Sequence, residues 1–407
     1  MESNIIQKNK KKIRDLLLSV CATMVLNVVI QFALYPYMQR QLGDEQYGVA
    51  LSVLSLVAIL SGTLGTSANY SRMVTSSKPD TVYTNGDYNI ILLGVSLLCA
   101  LGGSFYLGYL GVASIITVPL FVLLTVFTAL RYYSDVEFRM KSDFVRYMLY
   151  YVTISCGYLL GLIVFKISGE WMTAVVLGEM LGVLFVVIFG TIYRSKLLTP
   201  SKNFLTVSKS MGFLLLSTFI ENLTLNADRL LLMVFSGGVA VSIYYTASLL
   251  GKVIAMLTVP INSIIISYLV KYEGGMSKKF WSISTIASGV VGVLAFVACL
   301  IVSPFLLGIL YPDLLGAATP FIAPAILGQI FYFISGVLLV ILLRFKGEKN
   351  QFLFNLIYAV EFIAIVTLGT LLFDLTGFVY SALIANAIRF VMVVCIGFFS
   401  NPKAVAK

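Results

Sequence analysis

The chain has 407 residues, of which 59% are hydrophobic and 11% charged, and no water-soluble core of this length could hide so large an apolar share. Lipid must solvate most of its surface. A net charge of +10 would point a soluble protein toward polyanions such as nucleic acid, but here the basic residues lie in short segments between apolar runs, which excludes that partner.

Apolar runs of about 20 residues, long enough to cross roughly 30 Å of hydrocarbon, are predicted at 15–37, 47–66, 88–110, 112–130, 147–167, 171–193, 211–236, 242–270, 280–302, 319–343, 352–373 and 377–399. The expected fold class is an all-α membrane protein of twelve transmembrane helices. With the N-terminus inside, the inner loops collect the basic residues. They carry Lys8, Lys10, Lys11, Lys12 and Arg14, then Arg72 and Lys78, then Arg131, Arg139, Lys141 and Arg146. Arg194, Lys196, Lys202 and Lys209 follow, with Lys271, Lys278, Lys279, Arg344, Lys346, Lys349, Lys403 and Lys407 after them. Arg40 and Lys166 alone fall outside. One missed helix would scramble this pattern, so both termini of a multi-pass membrane protein are expected on the cytoplasmic side. Tyr35, Tyr37, Tyr106, Tyr109, Trp171 and Tyr311 on the outer side, and Tyr132, Tyr133 and Trp281 on the inner, are placed as an interfacial aromatic belt.

The first span follows a basic segment but is too long, and lacks the small-residue site, for a cleaved leader. Cys21, Cys99, Cys156, Cys299 and Cys395 all fall inside spans without paired spacing, and are read as small packing residues. Gly157 with Gly161 and Gly178 with Gly182 let helices approach closely, chiefly within the chain. Pro119, Pro260, Pro320 and Pro324 interrupt spans, where each removes a backbone hydrogen bond and permits a bend.

The spans divide into two sets of six, giving an N-terminal lobe over residues 1–200 and a C-terminal lobe over 201–407. An internal echo supports this: Gly43-Asp44-Glu45-Gln46-Tyr47-Gly48-Val49 and Gly237-Gly238-Val239-Ala240-Val241-Ser242-Ile243 lie 194 positions apart, each an outer turn leading into an even-numbered span. Parallel six-helix repeats are a transporter plan. A membrane-embedded glycan polymerase or ligase would need a sizeable extramembrane loop, which is missing here.

At several of these motifs the chain resembles the polysaccharide-biosynthesis flippases, the oligosaccharidyl-lipid branch of the multidrug/oligosaccharidyl-lipid/polysaccharide exporter superfamily. Leu42-Gly43-Asp44-Glu45-Gln46-Tyr47-Gly48 is similar to that family's Leu-Gly-Pro-Glu-x-Tyr-Gly. Leu64-Gly65-Thr66-Ser67-Ala68-Asn69-Tyr70-Ser71-Arg72 is similar to its Gly-Leu-Gly-x-Ala-x-x-Arg. Asn226-Ala227-Asp228-Arg229-Leu230 resembles its Asp-Arg or Asp-Lys in helix seven. Leu310-Tyr311-Pro312-Asp313 with Ala317-Ala318-Thr319-Pro320, and Lys346-Gly347-Glu348-Lys349, resemble two later turns. The resemblance implies two six-helix lobes around a central cavity that flips an undecaprenyl-pyrophosphate-linked oligosaccharide repeat unit to the outer leaflet for O-antigen or capsule synthesis. It implies a transporter rather than an enzyme, without cofactor, working in the lipid bilayer of a bacterial inner membrane as a monomer beside a polysaccharide polymerase. A multidrug and toxin extrusion transporter is the alternative on the same plan. Lipid II flippases of the group carry several cavity arginines in the first lobe, whereas no mid-depth cation is expected here in spans one to six.

Charges deep in a bilayer are costly and normally face a cavity or a partner. Arg229, Lys252 and Arg389 are the candidate substrate-binding cations, because Arg offers phosphate a bidentate fork and Lys a point charge. Glu221, Asp228, Glu361 and Glu179 are candidates for ion coupling or pairing. Asp228 with Lys252 is the pair expected if these charges are structural, and Glu179 stands alone among the charges of its lobe. The sequence holds no histidine, and neither a metal-ligand cluster nor a catalytic triad is visible.

Overall fold

The computed structural model describes residues 2–76, 83–269, 274, 276–346 and 348–399. Every regular element among them is a helix. In chain order these are α1 (Glu2–Val29), a π-helical turn (Ile30–Leu34), α2 (Tyr35–Ser76), α3 (Asn85–Tyr109), α4 (Thr117–Met140), α5 (Phe144–Ser168), α6 (Trp171–Phe189) and α7 (Phe204–Met256). They continue with α8 (Thr258–Leu269), α9 (Lys278–Leu310), α10 (Pro312–Lys346) and α11 (Glu348–Phe398). Nine helical stretches among the described residues are long and apolar enough to cross a membrane. The protein is a multi-pass membrane protein.

Side-chain exposure gives the reason. Ile283, Ile286, Val290, Leu294, Val297, Ile301 and Phe305 recur every three or four residues along α9, and all are exposed. Leaving such side chains in water would forgo about 1.5–3 kcal/mol each; facing acyl chains, they cost nothing. The apolar face of this helix therefore looks outward, the reverse of a soluble bundle.

Three of the nine stretches run to 60, 53 and 47 residues, more than one crossing needs at ~1.5 Å per residue. Each contains non-helical backbone: Gly43 (φ 74°, ψ 172°) in α2, Gly237 (φ 80°, ψ −178°) in α7, and Phe373 with Asp374 in α11. Gly43 and Gly237 are the echoed glycines, and both adopt a conformation open essentially to glycine alone. Side chains on either side of two breaks show that the chain folds back. Lys252 Nζ lies 2.6 Å from Asp228 Oδ2, although a straight helix would hold them ~36 Å apart. The Arg389 guanidinium lies 4.4 Å from the Tyr358 ring centre, which only a reversal near Asp374 allows.

Several expectations change. α4 does not stop at 130 but runs to Met140, carrying Arg131, Asp135, Glu137 and Arg139 into the helix. Pro119 stands in the first turn of α4, where its missing N–H would have been unpaired anyway, so it kinks nothing. The span expected at 242–270 is broken: α7 ends at Met256 and α8 starts at Thr258, and a proline at position 260 has no N–H to offer the Met256 carbonyl. Pro320 and Pro324 are carried within α10. Trp281, Tyr133 and Tyr311 are buried rather than interfacial, since each finds its polar partner inside; the Trp281 indole donates to the Val394 carbonyl at 3.1 Å. Tyr109, 65% exposed, fits the belt.

The chain separates into two compact units, residues up to Gln41 with Val53–Asn226, and Leu42–Ser52 with residues from Ala227 onward. In the first, α5 and α6 pack on their glycines: a methyl on Gly157 would lie 2.7 Å from the Gly178 Cα, and one on Gly182 would lie 2.7 Å from Ile154 Cγ1. The small-residue spacing serves packing inside the chain. In the same unit the C-terminal half of α2 lies along the start of α7, with Ser67 Oγ 2.6 Å from Thr218 Oγ1 and Ser71 Oγ 3.3 Å from Ser210 Oγ. In the second unit Trp281 is the centre of an apolar cluster with Leu338, Leu342, Phe354 and Val393.

Candidate functional site

Each candidate charge is set by the helix that carries it and by what the neighbouring helices offer. In the second unit, Asp228 is buried on α7 and receives Lys252 at 2.6 Å and the Arg229 backbone N–H at 2.9 Å, with Arg229 Nε 3.6 Å away. Both cations lie near aromatic faces: Lys252 Nζ is 5.1 Å from the Tyr245 centroid and 5.5 Å from that of Tyr244, and Arg229 is 5.8 Å from Tyr245. Lys252 is thus tied to Asp228, as the structural reading expects.

Arg389 is placed differently. It is 5% exposed, and its guanidinium lies between two tyrosine rings, 4.1 Å from the Tyr332 centroid and 4.4 Å from that of Tyr358. The Tyr358 hydroxyl donates to Asn386 Oδ1 at 2.8 Å, and Asn386 Nδ2 donates to the Ala382 carbonyl at 2.9 Å. The rings hold the guanidinium plane, while Nε and Nη1 have no hydrogen-bond partner among the described residues. Buried donors left open in this way are rare, and charge-assisted N–H groups of this kind suit the oxygens of a phosphate or carboxylate. Glu361, one turn beyond Tyr358 on α11, likewise keeps both carboxylate oxygens without a partner among the described residues.

The first unit overturns the expectation of a half without a deep cation. Arg131 is buried, its Nε 2.6 Å from Glu179 Oε2, and Glu179 stands midway along α6. Tyr158 donates to the other oxygen of Glu179 at 2.5 Å, and the Tyr132 ring covers Arg131 at 4.1 Å. Glu179 is therefore paired, not alone. One turn along α4, Asp135 accepts from Tyr147 at 3.3 Å and Tyr151 at 3.1 Å, with Arg139 at 3.5 Å. Arg72, in a resemblance motif, is held by Tyr133 and by Asn85 Oδ1 at 2.7 Å, with the rings of Tyr83, Tyr88 and Tyr133 around it. Arg131 with Glu179, and Asp135 with Arg139, pair with one another, while Arg72 keeps Nε without a hydrogen-bond partner among the described residues. Their signal was in the sequence: Arg131, Asp135 and Arg139 recur every four residues, as do Tyr147 and Tyr151, which places them on single helix faces. Below them, outside the crossing helices, burial holds the Tyr193 phenol well above its ordinary range. It stays neutral and donates to the Leu130 carbonyl at 2.9 Å.

Glu221 is on α7 as expected but exposed, whereas Asp228 two turns on is buried, so the two carboxylates do not share an environment. The motif at Lys346-Gly347-Glu348-Lys349 lies outside the described residues at Gly347, as do Lys78, Lys271, Lys403 and Lys407.

No family profile matches the sequence, and no curated protein does. Solved structures do match, at 12–15% identity. One is the lipid II flippase MurJ in an inward closed conformation, with 14% identity, a TM-score of 0.68, and 93% of this chain and 87% of that one covered. Another is an inward-facing multidrug resistance MATE family transporter of the MOP superfamily, with 13% identity, a TM-score of 0.62, and 93% and 97% covered. A third is the Vibrio cholerae MATE transporter VcmN in its bent form, with 13% identity, a TM-score of 0.57, and 94% of each chain covered. At this identity the likeness establishes a shared fold along almost the whole chain.

Proposed function

We propose that this protein is a flippase that carries an undecaprenyl-pyrophosphate-linked oligosaccharide repeat unit across a bacterial inner membrane for envelope polysaccharide synthesis, of the O-antigen or capsule kind. Counting each of the three broken stretches as two crossings turns the nine apolar helices into twelve, arranged as lobes over residues 1–200 and 201–407 around a central cavity, with cytoplasmic termini. The fold shared with MurJ and MATE transporters supports a transporter. The observation that carries the substrate class is Arg389, a buried guanidinium with two open N–H donors held between Tyr332 and Tyr358. Arg229 and Lys252, beside Asp228, are the further cations proposed to meet a pyrophosphate, and a polysaccharide polymerase is the expected receiver of the flipped unit.

Extrusion of organic cations is the second reading, favoured by the open oxygens of Glu361 and the exposed carboxylate of Glu221. Deletion separates the two. Flipping expects complete lipid-linked repeat units to accumulate on the inner leaflet with unchanged sensitivity to cationic toxins; heightened toxin sensitivity with normal envelope glycan would replace it with extrusion.

A further inference from the structure

Arg389 and Glu361 are opposite charges that do not meet. Both belong to α11, on either side of the reversal at Phe373 and Asp374. The register of that hairpin is set where Gly369 and Gly377 touch, so closely that a methyl on Gly377 would overlap the Gly369 carbonyl. In an antiparallel pair this register places residue 361 opposite Ala385 and Asn386, about one helical turn from Arg389. The Arg389 charge acts on Glu361 across that gap, yet no ion pair joins them. Nε and Nη1 of the one, and both carboxylate oxygens of the other, stay without a hydrogen-bond partner among the described residues. Opposite charges attract strongly where screening is weak, and an arginine side chain is long enough to swing through one turn. The guanidinium is therefore held back.

Two side chains hold it. The Tyr358 ring lies 4.4 Å from the guanidinium and the Tyr332 ring 4.1 Å from it. The Tyr358 hydroxyl donates to Asn386 Oδ1 at 2.8 Å and lies within hydrogen-bonding reach of the guanidinium. Asn386 is itself pinned: its Nδ2 donates to the Ala382 carbonyl, one turn back on its own helix, at 2.9 Å. That leaves Oδ1 as the end that faces Tyr358. Tyr358 and Asn386 are each 3% exposed, and no water competes for their bond in hydrocarbon. Asn386 stands three residues before Arg389, and Tyr358 three before Glu361, so each pair shares a helix face.

We propose that Asn386 is a positioning residue: through the Tyr358 hydroxyl it fixes the ring that clamps Arg389, keeps the guanidinium off Glu361 and leaves its donors to an oxyanion. The ligand class is a phosphate ester, supplied by an isoprenoid pyrophosphate or by a bilayer phospholipid. This rests on the reading of Arg389 as an anion site given above, and adds what keeps that site open. An asparagine that only bridged two helices would make the same hydrogen bonds, but the effect of losing it would not depend on Glu361.

The test uses the full-length protein in phosphatidylcholine nanodiscs, with radiolabelled farnesyl pyrophosphate as the probe. Asn386→Leu and Tyr358→Phe should each weaken binding about fivefold, as for the loss of one ordinary hydrogen bond. Glu361→Gln alone should bind the probe more tightly, since it removes a like charge. Combining Glu361→Gln with either weakening change should return the affinity to that of Glu361→Gln alone, because the guanidinium then has no carboxylate to fall onto. Double variants as weak as the single ones, or Tyr358→Phe that binds like wild type, overturn the positioning role. Tyr358→Phe keeps the ring, so it carries the comparison even where Asn386→Leu fails to fold. Phosphatidylglycerol added to the nanodiscs separates the two sources: displacement of the probe from wild type assigns the donors to a bilayer phospholipid and keeps the positioning role. A wild type that binds tetraphenylphosphonium but no farnesyl pyrophosphate overturns the anion site and the proposed cargo together, a result distinct from loss of the positioning role alone.

Discussion

Arg389 and Lys252 are both cations on apolar helices, and their neighbours distinguish them. Lys252 spends its charge on Asp228 at 2.6 Å, while Arg389 meets two aromatic faces and keeps Nε and Nη1 open. Replacing Arg389 by Ala should remove charge-assisted hydrogen bonds worth roughly 1.5–3 kcal/mol, lowering export about tenfold or more at unchanged abundance. Arg389→Lys should recover only part of this, since it keeps the charge but loses the planar fork and its stacking. Wild-type export from Arg389→Ala would remove the residue from the site. For Lys252 the expectation is conditional on its partner. Lys252→Ala alone should reduce both abundance and export, because a buried carboxylate stripped of a partner costs about 3–5 kcal/mol. Lys252→Ala combined with Asp228→Ala should restore abundance, measured by immunoblot of membranes. Continued loss of export at restored abundance would assign the pair to transport as well as to structure.

At the scale of helices, glycine separates packing faces from lipid faces. Gly178 on α6 is enclosed by the Tyr158 ring, which in turn donates to Glu179, whereas Gly94 on α3 has nothing within 4 Å of its Cβ position. Gly178→Leu should therefore overpack the α5 and α6 contact and disturb the Arg131 and Glu179 pair, costing at least the ~1–3 kcal/mol typical of inserted core methylenes. Gly94→Leu should be neutral or slightly stabilising, because it trades a poor helix former for a good one. Thermal unfolding of the purified protein in detergent reads both; equal melting of the two variants would contradict the packing described for α6. The spacing of these glycines was legible in the sequence, but which of them faced a neighbour was not, since a four-residue repeat on an all-apolar helix fits a lipid face equally well.

For the whole molecule, the distribution of Lys and Arg predicts sidedness. Ser195 and Ser277 are exposed outside the crossing helices, and single cysteines there in a Cys-free background should react only with reagent reaching the cytoplasmic face. Reaction at either from outside intact cells would overturn the twelve-crossing topology. Ser77, the third inner position expected from sequence, lies outside the described residues. The sequence by itself determined that the chain is helical and membrane-embedded, where its apolar stretches lie, and that residues 43 and 237 begin equivalent turns. Those properties follow from local composition and period, which a bilayer reads directly. Only the tertiary structure decided that Arg131 reaches Glu179, and that Lys252 is bound to Asp228 while Arg389 keeps open donors. Each depends on which helices become neighbours, and in lipid that choice is made by close packing and polar pairing across helices, with little trace in the hydropathy of any one of them.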